Sequence, residues 1–100
     1  MFVLEVNYTA PLERIDAIIP DHVRWLDANY AEGRFLLSGR QEPRTGGVII
    51  AVGDDRAAIE DIIAADPFVQ NGVGEYRVTQ FHATKTSDGL AAYRQPIPGA

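Results

Sequence analysis

Apolar side chains recur along this chain with two different periods, and the order in which these periods alternate restricts the possible folds. Every second residue from Phe2 to Tyr8 is apolar or aromatic, which is the pattern of a strand with one buried face. The predicted elements are a strand over 2–8, a helical turn over 12–19, a main helix over 20–32, strands over 34–41 and 48–52, a helix over 56–65 and a strand over 74–83. This is the βαββαβ order of a ferredoxin-like α+β domain, in which both helices cover one face of a four-stranded antiparallel sheet.

Prolines and aspartates mark the predicted helix boundaries. Pro20 lacks a backbone donor and clashes with the preceding turn, so we expect it to restart or kink the first helix. Asp54-Asp55 offers an N-cap to the second helix, and Pro67 predicts its end. Asp66 would then lie at a helix C-terminus, where a carboxylate costs about 0.3–1 kcal/mol when exposed. It also continues the inward stripe of that helix, and residues that break local rules are candidates for functional sites.

The central strands carry apolar residues at consecutive positions, in Phe35-Leu36-Leu37 and in residues 48–52. A sheet that is apolar on both faces needs cover on both, and two helices supply only one cover. We therefore expect a homodimer joined across the helix-free faces, which is the commonest closed assembly. We expect residues 85–100 to form a tail that is irregular or contacts the partner subunit.

The composition excludes several classes of function. The net charge of −5 argues against a nucleic-acid partner, and no apolar stretch is long enough for a membrane span. The chain has no cysteine and only two histidines, so no metal-ligand set is evident, and its glycines do not form a phosphate-binding fingerprint. We expect no cofactor. The first residues lack the pattern of a signal peptide, so the expected location is the cytoplasm.

Five short motifs stand out, in order, along the predicted elements. They are Asp21-His22-Val23-Arg24-Trp25-Leu26, Glu32-Gly33-Arg34-Phe35-Leu36-Leu37-Ser38-Gly39, Gly46-Gly47, Ala65-Asp66-Pro67-Phe68 and Asn71-Gly72-Val73. Together they resemble the YciI-like (YCII-related) family, whose small proteins belong to the dimeric α+β barrel class. The resemblance covers about residues 1–83, which implies a single domain over 1–84.

The resemblance implies that His22 and Asp66 form a dyad in a small-molecule pocket. It suggests an enzyme of the lyase, isomerase or dehalogenase class, in which the histidine moves a proton and the carboxylate orients it. A non-catalytic module that binds or senses a small ligand in the same pocket stays open. So do two structural roles, a histidine that bonds the helix backbone and an aspartate that forms an Asx turn after Pro67.

Four further residues are candidates for binding the substrate. They are Ser38, Gly39, Trp25 and Phe68. The resemblance implies the first two as pocket-lining residues, and the last two neighbour the predicted dyad along the chain. Many family members carry an arginine three residues before the histidine, where this chain has Ile19. Arg24 and Arg40 are the candidates to replace that cation.

Overall fold

Along residues 1–97, which the computed structural model describes, the chain forms four strands and three α-helices. The elements are β1 (Phe2–Tyr8), α1 (Leu12–Ala31), β2 (Phe35–Arg40), β3 (Gly46–Ala51), α2 (Arg56–Ala64), α3 (Pro67–Gln70) and β4 (Gly74–Gln80). The strands form one antiparallel sheet in the order β2-β3-β1-β4. The predicted α+β, ferredoxin-like arrangement is confirmed.

The first helix runs without interruption through Pro20, so the predicted restart at that residue was wrong. Its N-terminal half packs through Ile15 into one apolar cluster, and its C-terminal half packs through Trp25 and Tyr30 into another. Pro20 is exposed, so water can satisfy the carbonyl of Asp16 that lacks its donor. The burial on both sides outweighs the roughly 3 kcal/mol that an internal proline costs.

Asp66 lies at the start of a helix rather than at the end of one, which corrects the predicted placement. Helix α2 ends at Ala64, and Asp66 is the N-cap of α3, where its side chain accepts from the backbone N–H of Phe68. Pro67 occupies the first turn of α3, a position that suits a residue without an N–H. A carboxylate is favourable at a helix N-terminus, so Asp66 meets no penalty from the dipole.

The helix-covered face of the sheet carries the core, and the other face keeps an apolar centre. Phe2 and Leu4 of β1 are fully buried beneath the helices. A register shift in β2 separates Phe35, which is buried, from Leu37, which pairs with Ile50 on the open face and is 57% exposed. Phe35 and Leu37 would share a face in a regular strand, and the bulge places them on opposite faces.

The C-terminal segment folds back onto the end of the sheet. It contains a short 3₁₀ helix over Asp88–Tyr93, and the Gln95 side chain accepts from the backbone N–H of Ala83. Contact of this tail with a partner stays a prediction, and residues 98–100 lie outside the described residues. Within residues 1–97, every helix is too short or too polar to cross a membrane.

Candidate active site

The side chains of His22 and Asp66, 44 positions apart, are in direct contact between α1 and α3. His22 Nδ1 lies 2.8 Å from Asp66 Oδ1. The same oxygen accepts from the backbone N–H of Phe68 at 3.0 Å, so the Asx-type bond and the histidine contact coexist. The histidine side chain is 14% exposed and the aspartate side chain is completely buried. The contact therefore lies at the border between the core and an accessible surface.

Tyr76 of β4 completes the surroundings of the buried carboxylate. Its hydroxyl donates to Asp66 Oδ2 at 2.5 Å, so both carboxylate oxygens have partners. Burial of the ring, followed by the charge of Asp66 and the hydrogen bond to it, raises the pKa of Tyr76 above its ordinary value. The tyrosine therefore stays a proton donor to Asp66. No motif in the sequence predicted this contact, because the alternation of β4 indicates a helix-facing side chain but not which residue it meets.

Two aromatic rings hold the imidazole in place. The Phe68 ring stacks on His22 with a centroid distance of 4.0 Å and an interplanar angle of 14°, and the Trp25 ring lies 5.6 Å away. With Nδ1–H donated to Asp66, Nε2 is the nitrogen free to exchange a proton. Trp25 supports this arrangement from the core side, since its Nε1–H donates to the carbonyl of Ile62 at 3.2 Å.

A cavity of about 240 Å³ opens beside the imidazole, between α1 and the sheet. Four of the six predicted catalytic and substrate-binding residues line it, while Trp25 and the buried Asp66 do not. These four are His22, Ser38, Gly39 and Phe68. The apolar walls are Val6, Ile19, Leu26, Val48 and Ile49. A cavity of roughly 150 Å³ is enough to hold a benzene molecule, so this one suits a molecule with one substituted ring.

Arginines enter the cavity from β2 and from the turn that follows it. Arg40 and Arg44 both line the cavity, whereas Arg24 is exposed and pairs with Asp21 on the outer surface of α1. Of the two candidates named from the sequence, only Arg40 therefore reaches the site. Arg44 was missed, because its position in a turn carries no local signal of inward orientation.

Arg44 is held by a carboxylate of the first helix. One of its terminal nitrogens donates to Asp16 of α1. This hydrogen bond is the main cause that lowers the pKa of Asp16 and raises the pKa of Arg44. The pair links the β2–β3 turn to α1 across the mouth of the cavity.

The arrangement as a whole suits acid–base chemistry. A buried carboxylate contacts an imidazole that lines a small, mostly apolar cavity. Ser38 donates to or accepts from the Tyr30 hydroxyl at 2.5 Å, which ties it to α1. Within residues 1–97, His, Asp and Glu side chains do not gather in groups of three or more that could hold a metal ion.

Comparison with solved structures identifies a neighbour with the same fold. It is 5-chloro-2-hydroxyhydroquinone dehydrochlorinase from Burkholderia phenoliruptrix AC1100, solved as a complex with 2,5-dihydroxybenzoquinone. The two structures share a TM-score of 0.64 and 20% sequence identity, over 82% of this chain and 95% of the other. At that identity the likeness shows the fold alone.

Comparison of sequences assigns the family. No curated protein matches the chain closely enough to count as a relative. The model of the YCII-related domain matches residues 1–82, which is most of the chain and includes every residue of the site described above. The protein therefore belongs to the YCII-related family.

Proposed function

We propose that this protein is a cofactor-free enzyme that moves a proton on a small molecule, with His22 as the general base and Asp66 as the residue that orients it. The observation that carries the proposal is the 2.8 Å contact between His22 Nδ1 and Asp66 Oδ1. The His22 side chain also lines a cavity of about 240 Å³. A histidine buried only to complete the core would not need an accessible space beside its ring.

In this mechanism, Nε2 of His22 takes a proton from a carbon or hydroxyl of the substrate. The imidazolium that forms is stabilised by the buried carboxylate of Asp66, because an opposite charge at hydrogen-bond distance favours the charged ring. Returning the proton to another atom completes an isomerisation. In an elimination, the C–H electron pair forms a double bond while the leaving group departs with its own pair. Positioned acid–base catalysis of this kind contributes about 10²–10⁴-fold.

The solved neighbour is named as a dehydrochlorinase, so elimination of HCl from a chlorinated hydroxyhydroquinone is the first reaction to assay. Release of chloride and appearance of the quinone can be followed with wild type, His22→Gln and His82→Gln. His82 is the matched control, since it is an exposed histidine outside the cavity. We expect His22→Gln to lose at least about 100-fold in turnover while His82→Gln keeps wild-type turnover. Full turnover in the His22 variant would remove this histidine from the mechanism.

Two further measurements separate an enzyme from a binding module. A ligand from a metabolite screen that saturates the cavity, yet is recovered unchanged after long incubation, supports binding or sensing alone. Hydrogen exchange between the bound ligand and deuterated water supports proton transfer even without net turnover. This exchange must disappear in His22→Gln if the proposal is right.

We also propose that the protein is a homodimer whose subunits meet across the open faces of their sheets. Val3, Ile50 and Leu37 lie side by side on that face, where a single subunit leaves Leu37 57% exposed. Light scattering should give a dimer mass for wild type and a monomer mass for Leu37→Asp. Val23→Asp is the control, because Val23 is a similarly exposed apolar residue on α1. A folded wild-type monomer would contradict this assembly.

A further inference from the structure

The charge of the cavity is opposite to the charge of the chain. The whole protein carries a net charge of −5, yet two arginines and no aspartate or glutamate line the cavity. Asp66 lies behind the imidazole and is completely buried, so it presents no carboxylate surface to a ligand. A molecule that enters therefore meets two guanidinium groups, one of them paired with Asp16, inside mostly apolar walls.

Arg44 has a hydrogen-bonding capacity that the protein itself does not use. Its contact with Asp16 occupies one terminal nitrogen, and the Tyr8 side chain also interacts with the guanidinium, but Nε has no partner although it is buried. Within residues 1–97 this is the one buried side-chain nitrogen or oxygen without a hydrogen bond. A buried donor left unpaired costs about 1–3 kcal/mol, so such a group calls for an explanation. Acceptance by an anionic ligand supplies one, with a small shift of the side chain.

The side chain of Arg44 is also more restricted than that of Arg40. The Arg44 side chain is 23% exposed and is tied to Asp16, whereas Arg40 is exposed at the end of β2. A guanidinium held on one edge presents its remaining N–H groups in a fixed direction, which suits a carboxylate. Arg40 also lines the cavity and adds a second positive charge.

We propose that the cavity binds small carboxylates with one ring or a chain of similar size, and that Arg44 binds the carboxylate while Arg40 assists. The remainder of the ligand packs on the apolar walls next to His22. This proposal rests on the proposed function in one respect, because both take the cavity to be the ligand site. The cavity volume of about 240 Å³ sets the limit on size.

A pair of matched probes tests the proposal without any turnover. Benzoate and benzamide have nearly the same shape, and only benzoate is an anion. Binding of each to the full-length protein can be titrated by NMR, following the His22 and Trp25 ring signals. We expect wild type to bind benzoate at least about tenfold more tightly than benzamide, which corresponds to about 1.4 kcal/mol. Arg44→Gln should lose most of this preference and keep only the part that Arg40 contributes, so an unchanged preference in this variant would overturn the assignment to Arg44.

The control variant is Arg24→Gln, which removes an exposed arginine that pairs with Asp21 on the same helix but does not line the cavity. It should keep the preference for benzoate. Arg44→Lys keeps the charge without the planar group and should retain part of the preference. This variant also tests the proposal if Arg44→Gln does not fold. Equal binding of the probes by wild type, or no binding of benzoate, would overturn the proposal. The same loss in Arg24→Gln would also overturn it.

The His22→Gln variant separates this proposal from the proposed function. It should keep the preference for benzoate, because the carboxylate is bound by Arg44. If the preference is present while hydrogen exchange and turnover are absent from wild type, the ligand class stands and the enzymatic proposal fails. If His22→Gln binds the two probes equally, the preference comes from the imidazole and the assignment to Arg44 is wrong.

Discussion

Replacing Tyr76 by Phe removes a single hydroxyl from the site and should have a stability effect that depends strongly on pH. The hydroxyl donates to Asp66 Oδ2 at 2.5 Å, and Asp66 is completely buried. Without it, Oδ2 has neither this donor nor water. A hydrogen bond to a charged group contributes about 1.5–3 kcal/mol, so we expect Tyr76→Phe to lower the free energy of unfolding by about 2 kcal/mol at neutral pH.

At alkaline pH this difference should shrink. Burial, then the charge and the hydrogen bond of Asp66, raise the pKa of Tyr76 in the folded protein above its ordinary value of 10.0. Above that pH, the unfolded chain loses the tyrosine proton while the folded chain keeps it. The contribution of Tyr76 to stability is therefore complete below about pH 10 and falls by about 1.4 kcal/mol per pH unit above it. Phe has no such proton, so the gap between the proteins should be roughly 0.6 kcal/mol at about pH 11.

The assay is urea unfolding followed by circular dichroism, with both proteins at neutral pH and at several values up to about pH 11. Other titrating groups affect both proteins equally and cancel in the difference. Tyr93→Phe is the control, since Tyr93 lies in the 3₁₀ helix far along the chain from the site. A gap between wild type and Tyr76→Phe that stays constant across this range would refute the reasoning. It would mean that Tyr76 ionises in the fold as readily as in the unfolded chain.

Two further substitutions test the frame around the cavity. Gly46→Ala should lower the free energy of unfolding by at least about 2 kcal/mol in urea, because a Cβ there would lie 1.9 Å from the Val6 carbonyl oxygen. Gly39→Ala is the control and should have a smaller effect, because a Cβ at Gly39 would meet open space. In Asp16→Asn, the free energy of unfolding should fall less steeply as the solution is acidified. The hydrogen bond from Arg44 lowers the pKa of Asp16, so the ion pair stabilises the folded protein above the ordinary pKa of 3.8, and this stabilisation is lost as the pH falls through the lowered pKa. Acid titrations of the two proteins that run parallel below that value would show that the ion pair does not contribute.

Much of the architecture follows from local patterns in the sequence. Alternation over residues 2–8 and the two helical stripes predict the βαββαβ order, because a strand or a helix must turn its apolar side towards the core wherever it lies. The Asp55 cap is also local, since its side chain accepts from the N–H of Ala58 three residues later. The family resemblance named His22 and Asp66 before any contact between them could be known.

Only the tertiary structure decided which side chains surround His22 and Asp66. Helix α1 continues through Pro20 because both of its halves are buried against the sheet, which outweighs a local rule. Tyr76 meets Asp66 through the pairing of β4 with β1, and Arg44 reaches the cavity because the β2–β3 turn bends towards α1. Contacts of this kind depend on strand register and on elements distant in sequence, so no periodicity or short motif encodes them. The sequence by itself determined the four strands and their order with the helical segments, whereas packing decided the continuity of α1 and which side chains meet.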